Sequence, residues 1–182
     1  SHSYVEDFDR VDQIWPWLKK HHGDVLAVEA PHAFHPESYN YSELSDRIAT
    51  AAAAFKYYGV QESDVIAFFS ENSPRWLVAD QGIMRIDAID AVRGASAPVE
   101  ELRYIIKDSN AIGLVIQTAD LWKKLDLSQE QKSKLKLILQ LEGPPAEGVT
   151  GWDDFLHKGL EMSSINTISN RHLKSEQSLI AT

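Results

Sequence analysis

The sequence predicts an α/β fold, a largely parallel sheet flanked by helices. Strand-like and helix-like segments alternate from about residue 64 to residue 158, the pattern of parallel strands joined by covering crossovers. The strand-like segments are short apolar runs such as Asp64-Val65-Ile66-Ala67-Phe68-Phe69, as expected of strands buried on both faces. Capping residues and prolines open the segments between them.

Residues 1–38 read as irregular, with one short strand over Asp24–Glu29. The α/β unit proper is expected over residues 39–160. Asn40 caps its first helix, and Glu43 three residues on completes a capping box. Leu44, Ile48, Ala51, Ala52 and Phe55 then fall on one helical face. Gly59 suits the left-handed position beyond the last turn. After the strand at Asp64–Phe69, Asn72-Ser73-Pro74 starts a helix running to about Ile86. Ala88–Val92 reads as a strand, and Ser96 and Pro98 open a helix with Leu102, Ile105 and Ile106 inward. Asp108-Ser109-Asn110 ends that helix, and Ala111–Ile116 is the next buried strand. A short helix over Asp120–Leu125, a strand over Leu135–Leu139 and a chain break at Gly143-Pro144-Pro145 follow. Trp152–Lys158 is expected to form the last helix. Residues 161–182 read as a polar connector, with Leu179-Ile180-Ala181 beginning one more strand.

The 182 residues carry 18 Lys and Arg against 27 Asp and Glu, a net charge of −9. So acidic a chain is a poor binder of phosphate backbones, and no nucleic-acid partner is expected. With no cysteine, disulfides, thiolate metal sites and a cysteine nucleophile are excluded. The start, Ser1 to Asp7, is polar and acidic, unlike a signal peptide, and no apolar run nears the length of a membrane span. A cytoplasmic location is the expectation.

Ligands of such sheets bind outside the carboxyl ends of the strands. Those ends carry Ser70-Glu71-Asn72, Arg93-Gly94-Ala95-Ser96 and Gln117-Thr118. Arg93 and Ser96 are the candidates for a ligand-cleft wall, Arg93 as a contact for an anion, with a surface salt bridge as its alternative role. No catalytic, cofactor-binding or metal-ligating residue is identified. The glycines stand singly, so no loop offers the run of backbone N–H groups that cradles phosphates. His21-His22 and His32/His35 lack a further ligand at fixed spacing and read as a polar helix end and a solvated loop. Glu100-Glu101 and Asp153-Asp154 sit in first helical turns, where the dipole favours acids. Asp87 and Asp90 flank or enter a buried strand, and Asp87 can cap the preceding helix in left-handed conformation. Trp76 reads as core, and Lys132, Lys134 and Lys136 as a solvated face.

Several runs resemble a known superfamily. Asn40-Tyr41-Ser42-Glu43-Leu44 resembles the first core motif of adenylate-forming (AMP-binding) acyl-activating enzymes, Thr-Tyr-x-Glu-Leu. Met84 to Val92 resembles the second, roughly Leu-Lys-Ala-Gly-x-x-x-Val-Pro, with Asp87 standing where the motif has Gly. Asn72–Trp76, Ala79–Met84, Ala91–Gly94 and Glu100–Ile105 are similar to the long-chain acyl-ACP synthetases of cyanobacteria and plastids. Asn40, Tyr41, Glu43, Leu44 and Asp87 are thus structural residues of family motifs.

The resemblance implies the amino-terminal subdomain of that enzyme fold. The implied parent activates a long-chain fatty acid with ATP and Mg2+, then passes the acyl group to the phosphopantetheine thiol of acyl carrier protein or CoA. The family's phosphate loop, rich in Thr, Ser and Gly, should follow a strand that Ser178–Thr182 only approaches. The fragment alone is then expected to be inactive, to hold no cofactor, and to self-associate through surface the missing remainder would cover. Peripheral membrane contact is a further expectation from the substrate. The alternative is a stand-alone, non-catalytic α/β module that binds a ligand or partner. A receiver or flavodoxin-like domain would need an acidic pair after its first strand or a phosphate loop, and the sequence has neither.

Overall fold

The structure, a computed structural model, describes residues 13–30 and 37–165. Helix α1 (Ile14–His22) leads into an antiparallel pair, β1 (Leu26–Ala30) and β2 (Glu37–Asn40). Then follow α2 (Tyr41–Tyr57), β3 (Val65–Phe69), α3 (Pro74–Arg85), β4 (Ile89–Arg93), α4 (Val99–Asp108) and β5 (Gly113–Ile116). The remaining elements are α5 (Ala119–Leu125), α6 (Gln129–Ser133), β6 (Leu137–Gln140), β7 (Thr150–Gly151) and α7 over residues 152–165.

Strands β3 to β7 form one five-stranded sheet in the order β4-β3-β5-β6-β7, parallel throughout. Its two faces carry separate cores. Ile66 and Phe68 of β3 join α2, α3 and α7 through residues such as Ile48, Phe55, Ile83 and Phe155. Ala67 and Phe69 point the other way, against Leu102 and Ile106 of α4 and Leu121 and Leu125 of α5. Burial on both sides is what the apolar runs encode, and each fully buried Phe or Leu contributes roughly 1.5–3 kcal/mol.

Helix starts follow the local signals. Asn40 accepts from the Glu43 N–H at 2.8 Å, and Glu43 Oε1 accepts from the Asn40 N–H at 3.1 Å. Ser73 caps α3 ahead of Pro74 at its first position. Ser96, expected to open α4, lies instead in an exposed turn, and Pro98 holds the cap position without a side-chain bond. Helix ends share one device. After α2, α3 and α4 come Gly59, Asp87 and Asn110, with φ of 91°, 60° and 53°. The amides of Val60, Ala88 and Ala111 then reach back to the carbonyls of Phe55, Ile83 and Ile106, each closing a Schellman motif with an apolar contact. The chain leaves each helix already turned toward the next strand.

The structure differs from the sequence reading at four places. Residues 14–22 are helical where an irregular segment is expected, because Trp15 and Ala27 rest on the core beneath α2 and α3. The expected boundary at residue 38 falls inside β2. Short elements α6 and β7 were not anticipated, and α7 continues to residue 165, beyond the expected stop at Lys158. His32, His35 and the run Leu179-Ile180-Ala181 lie outside the described residues.

Candidate functional site

The strand order reverses between β3 and β5: the chain moves outward from β3 to β4, then returns to lay β5 on the other side of β3. Ligands of open parallel sheets enter such a crevice at the carboxyl ends. At this crevice the loops beyond β3 and β5 are hydrogen-bonded to one another. Gln117, just beyond β5, donates its N–H to the Phe69 carbonyl at 3.0 Å. Its Oε1 accepts from the Glu71 N–H at 2.9 Å. The Ser70 hydroxyl donates to the Glu71 carbonyl at 2.8 Å.

One strand over, Gln140 is 1% exposed and its amide is hydrogen-bonded through both Nε2 and Oε1. Its Nε2 donates to the carbonyls of Glu142, Gly143 and Pro144, at 2.7, 3.3 and 2.9 Å, and its Oε1 accepts from the Ala146 N–H at 3.0 Å. Gln140 therefore shapes the Gly143-Pro144-Pro145 turn rather than awaiting a ligand.

Arg93 and Ser96 stand at and just beyond the end of β4, on the other side of β3 from β5, where the Arg93 carbonyl accepts from the Ser70 N–H at 3.2 Å. Arg93 Nε meets Glu101 Oε1 at 2.8 Å and its Nη2 lies 3.3 Å from Oε2, with both side chains about half exposed. This is the surface-pair role of Arg93. The bond to Arg93 holds the Glu101 carboxyl below its ordinary range, and Glu101 raises Arg93 in turn. Ser96 is exposed, in the turn that follows β4. A groove lined by Ile106, Ala111, Ile112, Gln131, Lys134 and Leu135 opens at the opposite, amino end of β5 and β6.

Arg75, paired with Glu37, makes the most enclosed of the described ion pairs. Its Nε and Nη2 reach Glu37 Oε1 at 2.8 and 2.5 Å, and Nη1 donates to the Leu141 carbonyl at 2.5 Å. The guanidinium lies over the Trp152 ring, 5.8 Å from its centroid. Glu37 also accepts from the Tyr39 hydroxyl. Burial, then the bond to Glu37, pushes the Tyr39 phenol well above its ordinary range. One planar cation thus ties the β1–β2 hairpin, α3, the β6 end and α7 together, the geometry that favours Arg over Lys. No spacing rule joins Glu37 to Arg75, so sequence reasoning missed this cluster.

A second polar pair joins α3 to β4. Asp90 faces α3 and is half-buried beside Asp80. Desolvation, then the bond to Asp80 and its charge, raises the Asp90 carboxyl to about 7. Trp76 packs edge-on against Phe68 at 5.9 Å, part of the same core. Among the described residues, no three His, Asp or Glu side chains converge as a metal site.

Fold and site together define a parallel α/β unit whose strand ends are tied by side chain–backbone hydrogen bonds. Residues 15–172 match the family described as AMP-binding enzyme, and the chain belongs to that family of adenylate-forming enzymes. Two Arabidopsis thaliana proteins are similar over 144 residues, 79% of this chain and 20% of each relative. "Probable acyl-activating enzyme 16, chloroplastic" is 33% identical, and "Long-chain-fatty-acid--[acyl-carrier-protein] ligase AEE15, chloroplastic" is 32% identical. The crystal structure of the anthranilate CoA ligase AuaEII in complex with anthranoyl-AMP superposes with a TM-score of 0.72 at 17% identity. It covers 84% of this chain and 29% of its own. The chain spans about a fifth of the length of the curated relatives it matches.

Proposed function

We propose that this chain is the amino-terminal part of an ATP-dependent long-chain fatty acid ligase. The parent joins the fatty acid carboxylate to AMP, releases pyrophosphate, and passes the acyl group to the phosphopantetheine thiol of acyl carrier protein or CoA. The observation that carries this reading is the identity of about a third, over 144 residues, to a protein named as a fatty acid–acyl carrier protein ligase. ATP and Mg2+ belong to the parent. The hydrogen-bonded strand ends around Gln117 and Gln140 support placing their site in the remaining four-fifths of the protein.

In this reading the chain supplies a flanking sheet of the large domain. Its own residues hold that sheet in register, and alone it turns nothing over. The acceptor thiol is that of acyl carrier protein or of CoA, both of which the named relatives use. A cytoplasmic location with peripheral membrane contact completes the proposal. Among the described residues no helix is long and apolar enough to cross a membrane.

The complete reading frame tests this. Its protein, given ATP, Mg2+ and a long-chain fatty acid, is expected to form the acyl thioester of acyl carrier protein or of CoA. A stop codon directly after Thr182, or no thioester with either acceptor, overturns the proposal and favours the stand-alone binding module.

A further inference from the structure

Helix α1 carries two tryptophans on opposite sides. Trp15 and Trp17 are two residues apart, about 200° around a helix. Trp15 rests on the core, and its Nε1 donates to Gln81 Oε1 at 2.7 Å. Trp17 is therefore on the side turned from the core, where its ring meets those of His21 and His22 at 4.6 and 5.6 Å between centroids. Beyond His22 the chain turns at once: the Val25 N–H donates to the His22 carbonyl at 3.0 Å. That turn sets Val25, and Leu26 after it, beside the last turn of α1, and the two are 52% and 57% exposed.

Charge gathers at the same corner. The last turn of α1 carries Lys19, Lys20, His21 and His22, and Asp24 is the one acid between residues 14 and 28. Lys19 is engaged by Asp46 at 2.5 Å, while Lys20, His21 and His22 are exposed. This end is basic on a chain of net charge −9. The lysines of α5, α6 and the segment before β6 offer charge without apolar exposure, since among residues 121–136 no large apolar side chain is exposed. There Lys132 lies over the Trp122 ring at 5.5 Å, and Lys134 and Lys136 approach Glu130 and Asp64. Exposed apolar side chains beside exposed basic groups are what an anionic lipid surface takes up. Lys20 brings a full charge, and each imidazole brings an N–H for a phosphate oxygen.

We propose that the corner between α1 and β1 is a contact site for an anionic phospholipid membrane. Trp17, Val25 and Leu26 enter the boundary between headgroups and acyl chains, and Lys20, His21 and His22 meet the lipid phosphates. An indole suits that depth, being an apolar ring with one polar N–H. So small an apolar area with so few charges makes a reversible contact and not a permanent anchor. The site rests on the reading of the parent as a fatty acid ligase with peripheral membrane contact, and it gives that contact a place in the chain.

Flotation of the full 182-residue chain with vesicles, at neutral pH and low salt, tests the site. Binding to vesicles of phosphatidylglycerol and phosphatidylcholine should exceed binding to phosphatidylcholine alone, and should weaken as salt rises. Val25→Ser together with Leu26→Ser should lower the partition coefficient at least about tenfold, and Lys20→Glu about fivefold. Lys123→Glu together with Lys124→Glu, on α5, should leave it near the wild-type value. Lipids with brominated acyl chains should quench the tryptophan fluorescence of the wild type and of Trp122→Phe, and much less that of Trp17→Phe. A wild-type chain that stays off anionic vesicles overturns the proposal. So does binding that the α5 variant loses and the corner variants keep. Lys20→Glu changes an exposed side chain and decides the matter even if the paired serine variant does not fold. Vesicle binding needs neither ATP nor fatty acid. Its absence leaves the ligase reading to thioester formation by the complete protein, and failure of that activity leaves vesicle binding to be read on its own.

Discussion

Gly159 of α7 lies against the Thr50 carbonyl of α2 so closely that a Cβ at 159 would stand 2.1 Å from that oxygen. Helix α7 is seated by this contact and by Trp152, Phe155 and Leu156, which complete the core on that face. Gly159→Ala must push the two helices apart. The expected loss is on the order of 3 kcal/mol, the upper range for overpacking, read as a lower urea midpoint. Leu160→Ala, at an exposed neighbour, should leave the midpoint nearly unchanged.

Arg75 and Glu37 make a different kind of joint. Their side chains are 14% and 19% exposed, so removing one partner strands the other. Glu37→Ala is expected to destabilise by about 3 kcal/mol and to release the β1–β2 hairpin first, seen as lost amide protection there. Arg75→Lys should recover little of this in the parent protein or in the chain, because an ammonium cannot bridge Glu37, the Leu141 carbonyl and the Trp152 ring together.

Asp87 occupies the left-handed position, at φ 60°, where the family motif carries Gly. The backbone geometry of the motif is therefore kept by a residue that tolerates it. Asp87→Gly should fold with similar stability. Asp87→Val puts a branched side chain at positive φ and should cost about 1–2 kcal/mol. Thermal melts of the two variants side by side make the comparison.

Ile89 and Val92, one on each face of β4, are 52% and 45% exposed. An unpaired edge strand flanked by apolar side chains favours association. Sedimentation of the chain alone should show concentration-dependent dimers. Ile89→Lys together with Val92→Lys should return it to monomer. A clean wild-type monomer at high concentration contradicts this.

Much of the sheet was legible because its signals are local. The capping box at Asn40 and Glu43, the Ser73-Pro74 start and the apolar runs of β3 and β5 each depend on residues within a few positions. The family resemblance rests on the same stretches. What escaped depends on tertiary partners. Helix α1 has Pro16 in its first turn and no fully buried residue, so only its packing on the core reveals it. Glu37 meets Arg75 across 38 positions, Trp15 meets Gln81 across 66, and Glu71 meets Gln117 across 46. The two candidates for a cleft wall show the same limit. Sequence places Arg93 and Ser96 correctly near the carboxyl end of β4. It does not say that β4 lies at the sheet edge, nor that Glu101 waits eight residues away to take the guanidinium.

In the function proposed for it, this chain is a structural part of an acyl-activating ligase whose chemistry lies in the rest of the parent. Fatty-acid-dependent ATP–pyrophosphate exchange tests it most directly, measured on the 182-residue chain and on the protein of the complete reading frame. The chain alone should stay at background while the complete protein exchanges only when a long-chain fatty acid is present. Clear exchange by the chain alone, or none by the complete protein with any fatty acid, contradicts the account.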